Sequence, residues 1–171
     1  MTGANAAAAM AAAEDEGEYG AGAASAQGSE ARPGEPRARP RILLVEDDFL
    51  VGMEIEAGLR DAGCDVIGVA ATAEEAVMLA EAERPLLAVM DIRLAGERDG
   101  VDAALEIERR LGIRTLFASA HGDADVRARA AAARPLGWIG KPYRVTALVA
   151  AVRHALAGLD EEPRPEPRAE G

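Results

Sequence analysis

Leu86-Leu87-Ala88-Val89-Met90-Asp91 is an apolar run that stops abruptly at a carboxylate. A short aliphatic run of this kind reads as a strand buried on both faces, as in a parallel sheet, with Asp91 where the strand leaves the sheet. Ile42-Leu43-Leu44-Val45 repeats the pattern and stops at Glu46-Asp47. In a parallel α/β sheet the carboxyl ends of the strands share one rim, which is where such folds place their sites. The two runs therefore predict three like charges, Glu46, Asp47 and Asp91, on one rim.

Outward from these runs, apolar stretches alternate with amphipathic ones. The first strand, Arg41–Glu46, is followed by a helix from about Asp48, a residue type suited to the N-cap. Its stripe is Val51, Ile55, Leu59 and Ala62, at spacings of three and four, and Gly63 ends it. After a second strand, Cys64–Ala70, Thr72 caps a helix carrying Ala76, Val77, Leu79 and Ala80, with Glu75 at the capping-box position. Arg84-Pro85 stops that helix, and the third strand is Leu86–Asp91. A polar loop, Ala95–Gly100, leads to a helix with Val101, Leu105 and Leu111 on one side, closed by Gly112. Asp99-Gly100-Val101-Asp102 reads as a turn and helix start rather than as a calcium loop. The fourth strand, Arg114–Ala118, ends at Ser119, and Asp123 opens an alanine-rich helix to about Ala133. The fifth strand, Leu136–Gly140, ends at Lys141-Pro142. The last helix begins near Tyr143, with Val145, Leu148, Val149, Val152 and Leu156 as its stripe. Strand and helix alternate five times, which predicts an α/β fold with a five-stranded parallel sheet and helices on both faces. Crossovers are right-handed by the general rule; these residues alone leave the strand order open.

Composition sets the outer limits. The chain has 171 residues, enough for one ordinary domain with a real core. Aromatic residues make up 3%, so that core is expected to be aliphatic. A formal net charge of −11 argues against a nucleic-acid-binding surface, which needs clustered Lys and Arg. No run approaches the roughly 18 to 20 apolar residues of a membrane span, and the alanine-rich start lacks a basic region and turns acidic at Glu14-Asp15-Glu16, unlike a signal peptide. The single cysteine, Cys64, offers neither an internal disulfide nor a metal cluster. A cytoplasmic protein without membrane insertion is the expectation. Residues 1–40 are Ala, Gly, Glu, Ser and Pro with almost no large apolar side chains and are expected to be a disordered leader. Residues 160–171 are expected to be a disordered charged tail, leaving 41–159 as the folded domain.

The strand ends collect Glu46, Asp47, Asp91, Ser119 and Lys141. A lone acid after a strand is usually a helix cap or a solvated loop residue; five complementary groups on four strand ends are harder to explain that way. Three carboxylates on one rim need a cation or a raised pKa. Mg²⁺ prefers oxygen ligands, using one or two carboxylates with water and phosphate oxygens, and Lys141 offers a point charge for a phosphoryl oxygen. A carboxylate, a hard cation, a hydroxyl and an ammonium make a site for phosphoryl transfer to an aspartate.

On these residues the chain resembles the receiver (response-regulator) domain of two-component signalling. The matching segments are ILLVEDD at Ile42–Asp48, LLAVMDIRL at Leu86–Leu94, LFASA at Leu116–Ala120 and IGKPY at Ile139–Tyr143. The resemblance implies a flavodoxin-like (βα)5 fold with strand order 2-1-3-4-5, an order the general description of doubly wound folds itself assigns to a receiver. It implies that Asp91 accepts the phosphoryl group, that Asp47 binds Mg²⁺ directly, that Glu46 does so through water, and that the Arg93 carbonyl completes the protein ligands. Lys141 would bind the phosphoryl group; Ser119 would hydrogen-bond it, followed inward by Trp138. The implied readout is the face of helix four, strand five and helix five, with Arg127, Arg129, Trp138, Tyr143 and Arg144 as contact residues. Implied partners are a sensor histidine kinase or histidine phosphotransfer protein and a downstream protein target, with dimerisation on phosphorylation left open. The resemblance makes the chain a signalling module, not an enzyme beyond its own Mg²⁺-dependent phosphorylation and dephosphorylation at Asp91.

Three departures stand out. Many receivers carry a proline four residues and a glycine eight residues after the acceptor; here Ala95 and Gly100 lengthen the loop by one residue. Phe117-Ala118-Ser119 resembles the Phe-Ala-Thr/Ser pattern of an alphaproteobacterial subgroup, and Trp138 stands where Tyr or Phe is commoner. Arg93 reads either as an exposed arginine lending its carbonyl or as a side chain overhanging the phosphoryl group. His121 and His154 lack metal-ligand spacing and read as surface residues. Two other functions compete: a scaffold that binds partners without phosphorylation, and, remotely, an aspartate-nucleophile phosphatase of haloacid-dehalogenase type. The phosphatase wants a second Asp two residues past the nucleophile, where Arg93 stands.

Overall fold

Five parallel strands form the sheet of the computed structural model: β1 (Arg41–Val45), β2 (Asp65–Ala70), β3 (Leu87–Asp91), β4 (Arg114–Ser119) and β5 (Gly137–Gly140). Their order is β2-β1-β3-β4-β5, as the resemblance implies. The helices between them are α1 (Phe49–Asp61), α2 (Ala73–Glu83), α3 (Gly100–Leu111), α4 (Ala124–Ala130) with a 3-10 turn at Ala131–Ala133, and α5 (Val145–Glu161). The structure describes residues 38–120 and 124–161. The expected disorder of 1–37 and 162–171, the surface role of His121 and the helix start at Asp123 lie outside the described residues.

Helix boundaries follow local chemistry. The Asp48 carboxylate accepts from Leu50 N at 2.9 Å and Val51 N at 3.1 Å, capping α1 as expected. Thr72 caps α2 by accepting from Glu75 N at 3.2 Å. The Glu75 carboxylate reaches back to the Ala71 N–H at 2.8 Å, one residue before the donor that a strict capping box would use. Arg84 ends α2 in the left-handed region, φ 48°. Gly112 does the same for α3 at φ 68°.

The differences from the sequence expectations are short. Leu86 and Leu136 fall just outside their strands, although their amides still reach Arg41 O and Thr115 O at 2.8 Å. The alanine-rich stretch tightens into a 3-10 turn after Ala130. α5 starts at Val145 rather than near Tyr143, because the Arg144 carbonyl accepts from Ala147 N and Leu148 N, and it continues through Asp160 to Glu161. Pro40, assigned above to the leader, already accepts from Asp65 N at 2.9 Å and so extends the start of β1 alongside β2.

Two apolar layers flank the sheet. On one face Ile42, Leu44, Val66, Leu87, Val89 and Leu116 pack against Ile55 and Leu59 of α1 and Leu148, Val152 and Ala155 of α5. On the other, Leu43, Val45, Ala88, Met90 and Phe117 meet α2, α3 and the α4 region largely through alanines 73, 76, 80, 103, 104, 130 and 133. Alternate side chains of each strand face opposite layers, as the pleat requires. Among the described residues no helix is long and apolar enough to cross a membrane.

Candidate functional site

The strand order brings the polar strand ends together. β1 and β3 are neighbours with Val45 opposite Met90, so Glu46 and Asp47 emerge beside Asp91. Asp91 lies opposite Ala118, which sets Ser119 next to it, and Ser119 pairs with Gly140 immediately before Lys141. The Lys141 N–H donates to Ser119 O at 2.6 Å, and a cis peptide bond joins Lys141 to Pro142. The lysine stem then crosses the end of β4. Its Nζ donates to Asp91 Oδ2 at 2.6 Å and to Glu46 Oε2 at 3.0 Å.

Electrostatics explain this bridge. Glu46 is 4% exposed, and burial pushes its pKa above the usual glutamate value despite the Lys141 hydrogen bond. Burial works against the Lys141 charge, but its hydrogen bonds to Asp91 and Glu46 outweigh that and raise its pKa, so the ammonium persists at neutral pH. Lys141 therefore supplies one cation to the rim. Asp47 is exposed. Glu46, Asp47 and Asp91 each present an oxygen, all within 4.8 Å of one another. Three carboxylate oxygens, one of them open to water, are a donor set that fits Mg²⁺.

Beside the acids, Asp91, Arg93, Ser119, Ala120, Val126 and Lys141 line an open cleft of about 320 Å³. Ser119 is buried at its wall. The Arg93 N–H donates to Asp91 Oδ1 at 3.3 Å while its side chain is exposed on the cleft's edge. That places both readings of Arg93, carbonyl donor and overhanging side chain, at the same lip.

The lengthened loop after Asp91 is tied down along its length. Ala95 N–H donates to Ala71 O at 3.2 Å, so the loop reaches across the width of β1 to the segment after β2. Arg98 pairs with Glu106 at 2.6 Å and Glu74 at 3.7 Å. Asp99 caps α3, accepting from Val101 N and Asp102 N at 3.0 Å each, and Asp102 completes the capping box. Gly100 donates to Ile92 O at 2.8 Å. A Cβ on Gly100 would come 1.9 Å from the Asp91 carbonyl oxygen, so only glycine lets α3 start this close to the end of β3.

The residues expected to form the switch and contact face lie as follows. Trp138 lies opposite Phe117 in the sheet and stacks on it, centroids 4.6 Å apart. The Arg127 guanidinium sits over the Trp138 ring, 4.7 Å from its centre. Tyr143 packs against the α1/α5 layer, its hydroxyl buried without a hydrogen-bond partner, and burial raises its pKa. Arg144 is exposed. Arg129, read above as a surface contact, pairs with Asp99 and with Asp102 at 3.3 Å.

One surface went unread in the sequence. Phe49, Leu50 and Met53 of α1 are 75%, 74% and 52% exposed beside Asp47. They lie off the Val51–Ile55–Leu59 stripe, and surplus apolar residues on the second side of an otherwise amphipathic helix were the available signal.

Comparison with known proteins agrees with this geometry. The response regulator receiver domain family matches residues 42–153. The chain is 33% identical over 121 residues to the transcriptional regulatory protein PdtaR of Mycobacterium tuberculosis, covering 71% of this chain and 58% of PdtaR. It is 34% identical over 116 residues to the phyllosphere-induced regulator PhyR of Methylorubrum extorquens, covering 67% of this chain and 43% of PhyR. The chain thus spans about half the length of these relatives. A CheY-like response regulator receiver domain protein from Methanospirillum hungatei superimposes with a TM-score of 0.68 at 25% identity, covering 73% of this chain and 99% of that one.

Proposed function

The chain belongs to the response regulator receiver domain family, and from that premise we propose that it is a phosphorylation switch that accepts a phosphoryl group on Asp91. The observation that carries this is Lys141 reaching from β5 to both Asp91 and Glu46, at the point where three carboxylates converge. Glu46 and Asp47, with Asp91 and the Arg93 carbonyl, are the residues that would hold Mg²⁺. When bound, that ion supplies neutralisation of the charge on the transferring group.

The chain's own residues account for the rest. An Asp91 carboxylate oxygen attacks phosphorus of a phosphohistidine; the P–N bond breaks, its electron pair stays on the imidazole, and an acyl phosphate forms. Lys141 orients Asp91 and then follows the charge onto the phosphoryl oxygens. Ser119, buried in the cleft wall, offers a hydroxyl to the new oxygens, and a phosphoryl group of about −1.5 to −2 charges takes the place of the single Asp91 carboxylate charge at a rim where one lysine faces three acids.

The phosphodonor is a histidine kinase or phosphotransfer protein. Exposed Phe49, Leu50 and Met53 beside Asp47 give it an apolar docking surface within reach of the acceptor. Output passes to a protein partner through α4, β5 and α5. PhyR from Bartonella quintana, which this chain resembles over about half of that protein's length, is an anti-anti-sigma factor, and an output by protein contact of that kind suits this chain. The Phe117-Ala118-Ser119 segment supports placing the chain with the Phe-Ala-Thr/Ser receivers.

The test is direct. Incubation with Mg²⁺ and acetyl phosphate is expected to give one alkali-labile adduct, absent in Asp91→Asn. No adduct and no response to beryllofluoride would favour the phosphorylation-independent scaffold. Phosphate release at enzymatic turnover rates would favour the phosphatase.

A further inference from the structure

α4 is short, and two of its arginines, Arg127 and Arg129, are both engaged within the molecule. Two residues apart on a helix, they project from nearly opposite sides. Arg127 lies over Trp138, which is stacked on Phe117 of β4, the strand that ends at Ser119. Arg129 reaches the other way, to the carboxylates of Asp99 and Asp102 at the start of α3.

The Asp99 end of this contact leads back to the acceptor. Asp99 caps α3 and precedes Gly100, whose backbone is seated against the Asp91 carbonyl and bonded to Ile92 O. The first turn of α3 is therefore packed directly on, and hydrogen-bonded to, the end of β3. We infer that Asp99 and Arg129 form a positioning pair that couples events at Asp91 to α4 by a route independent of Ser119. The inference rests on Asp91 being the phosphoacceptor.

Two routes thus meet on one helix. The first runs along β4 through Ser119 and Trp138 to Arg127. The second runs from Asp91 through Gly100 and Asp99 to Arg129. Coupling between sites is reciprocal, so cutting either contact changes what α4 senses of the acceptor.

The experiment uses the full chain with Mg²⁺ and beryllofluoride as the phosphoryl probe. Amide hydrogen exchange over residues 124–133 reads α4, fluorescence of the single tryptophan, Trp138, reads the other route, and adduct formation with acetyl phosphate reads the chemistry. Ser119→Ala is expected to keep at least half of the α4 exchange response. Arg129→Ala is expected to lose at least half of it while forming adduct as the parent does. Asp99→Asn, which keeps the helix cap but not the charge, is expected to match Arg129→Ala, and combining the two is expected to add nothing further.

An unchanged α4 response in Arg129→Ala, or its complete loss in Ser119→Ala, overturns the coupling. So does a fall in adduct parallel to the fall in α4 response, since the pair would then serve the chemistry itself. A parent protein silent in both reporters and without adduct overturns the Asp91 reading, and the coupling with it.

Discussion

The sheet is covered differently on its two sides. Beneath α1 and α5 the contacts are between large aliphatic side chains, with Ile55, Leu59, Leu148 and Val152 essentially inaccessible. Beneath α2, α3 and the α4 region seven alanines share the contact with fewer large buried side chains, Val77, Val101 and Ile107, and beneath the α4 region the fully buried residues are alanines alone. What the second side lacks in apolar bulk it partly replaces with ion pairs on its outer surface. Arg98 joins Glu74 of α2 to Glu106 of α3, Arg110 joins Glu106 to Glu81, Arg134 joins Glu108, and Arg129 joins α4 to Asp99 and Asp102. Large interlocking side chains fix a helix through a packing arrangement with one good solution. Small side chains with exposed ion pairs fix it more loosely, because such pairs are screened by solvent. The comparison teaches which helices are scaffold and which can respond.

The largest effect that would sharpen this contrast is on the aliphatic side. Leu148→Ala should lower unfolding free energy by about 3 kcal/mol, the usual range for a buried leucine being about 2–5 kcal/mol, as measured by urea denaturation. A cost below about 1 kcal/mol would break the distinction between the two sides.

Next in size is Gly100→Ala, where overpacking of roughly 1–3 kcal/mol is expected. Its Cβ would strike the Asp91 carbonyl rather than a flexible side chain, so the rate of acetyl phosphate modification should fall along with stability. Modification at the parental rate would mean that α3 does not hold the acceptor strand.

The smallest effect concerns the ion-paired surface. Arg98 and then Arg110 hold the Glu106 pKa below its usual value of 4.5. A depressed folded-state pKa contributes stability above the unfolded value, and that contribution is lost as pH falls through the depressed value. Glu106→Gln should therefore cost less than about 1 kcal/mol at neutral pH. The gap from the parent should close as the protein is titrated below the ordinary glutamate range, as followed by thermal melts against pH. A gap that persists in acid would show that Glu106 acts by packing.

The two strands ending in Val45-Glu46-Asp47 and Met90-Asp91 were legible because burial on both faces leaves a continuous apolar run, and a carboxylate cannot continue it. Asp48, Thr72 and Gly112 were legible for the same local reason: caps are set by neighbours one to four residues away. The strand order was not in the pattern of residues and came from resemblance, since alternating strands and helices fit more than one order. The Gly100 approach to Asp91, the Arg129 pair with Asp99 and the Phe117–Trp138 stack were hidden because each depends on how separate elements dock. Once the β4–β5 register is given, the aromatic stack follows; without it, Trp138 is one more apolar residue in a strand.

The alanines beneath the α4 region have a consequence on the scale of energy. Ala130 and Ala133 each bury a methyl group, worth about 0.8 kcal/mol apiece. A single hydrogen bond to a charged group contributes a net of about 1.5–3 kcal/mol. With only the half-buried Val126 added, the apolar hold on this segment is thus of the same order as one or two such polar contacts. A chemical event of that size can decide where α4 rests, while α5, held by leucine and valine, stays where folding put it.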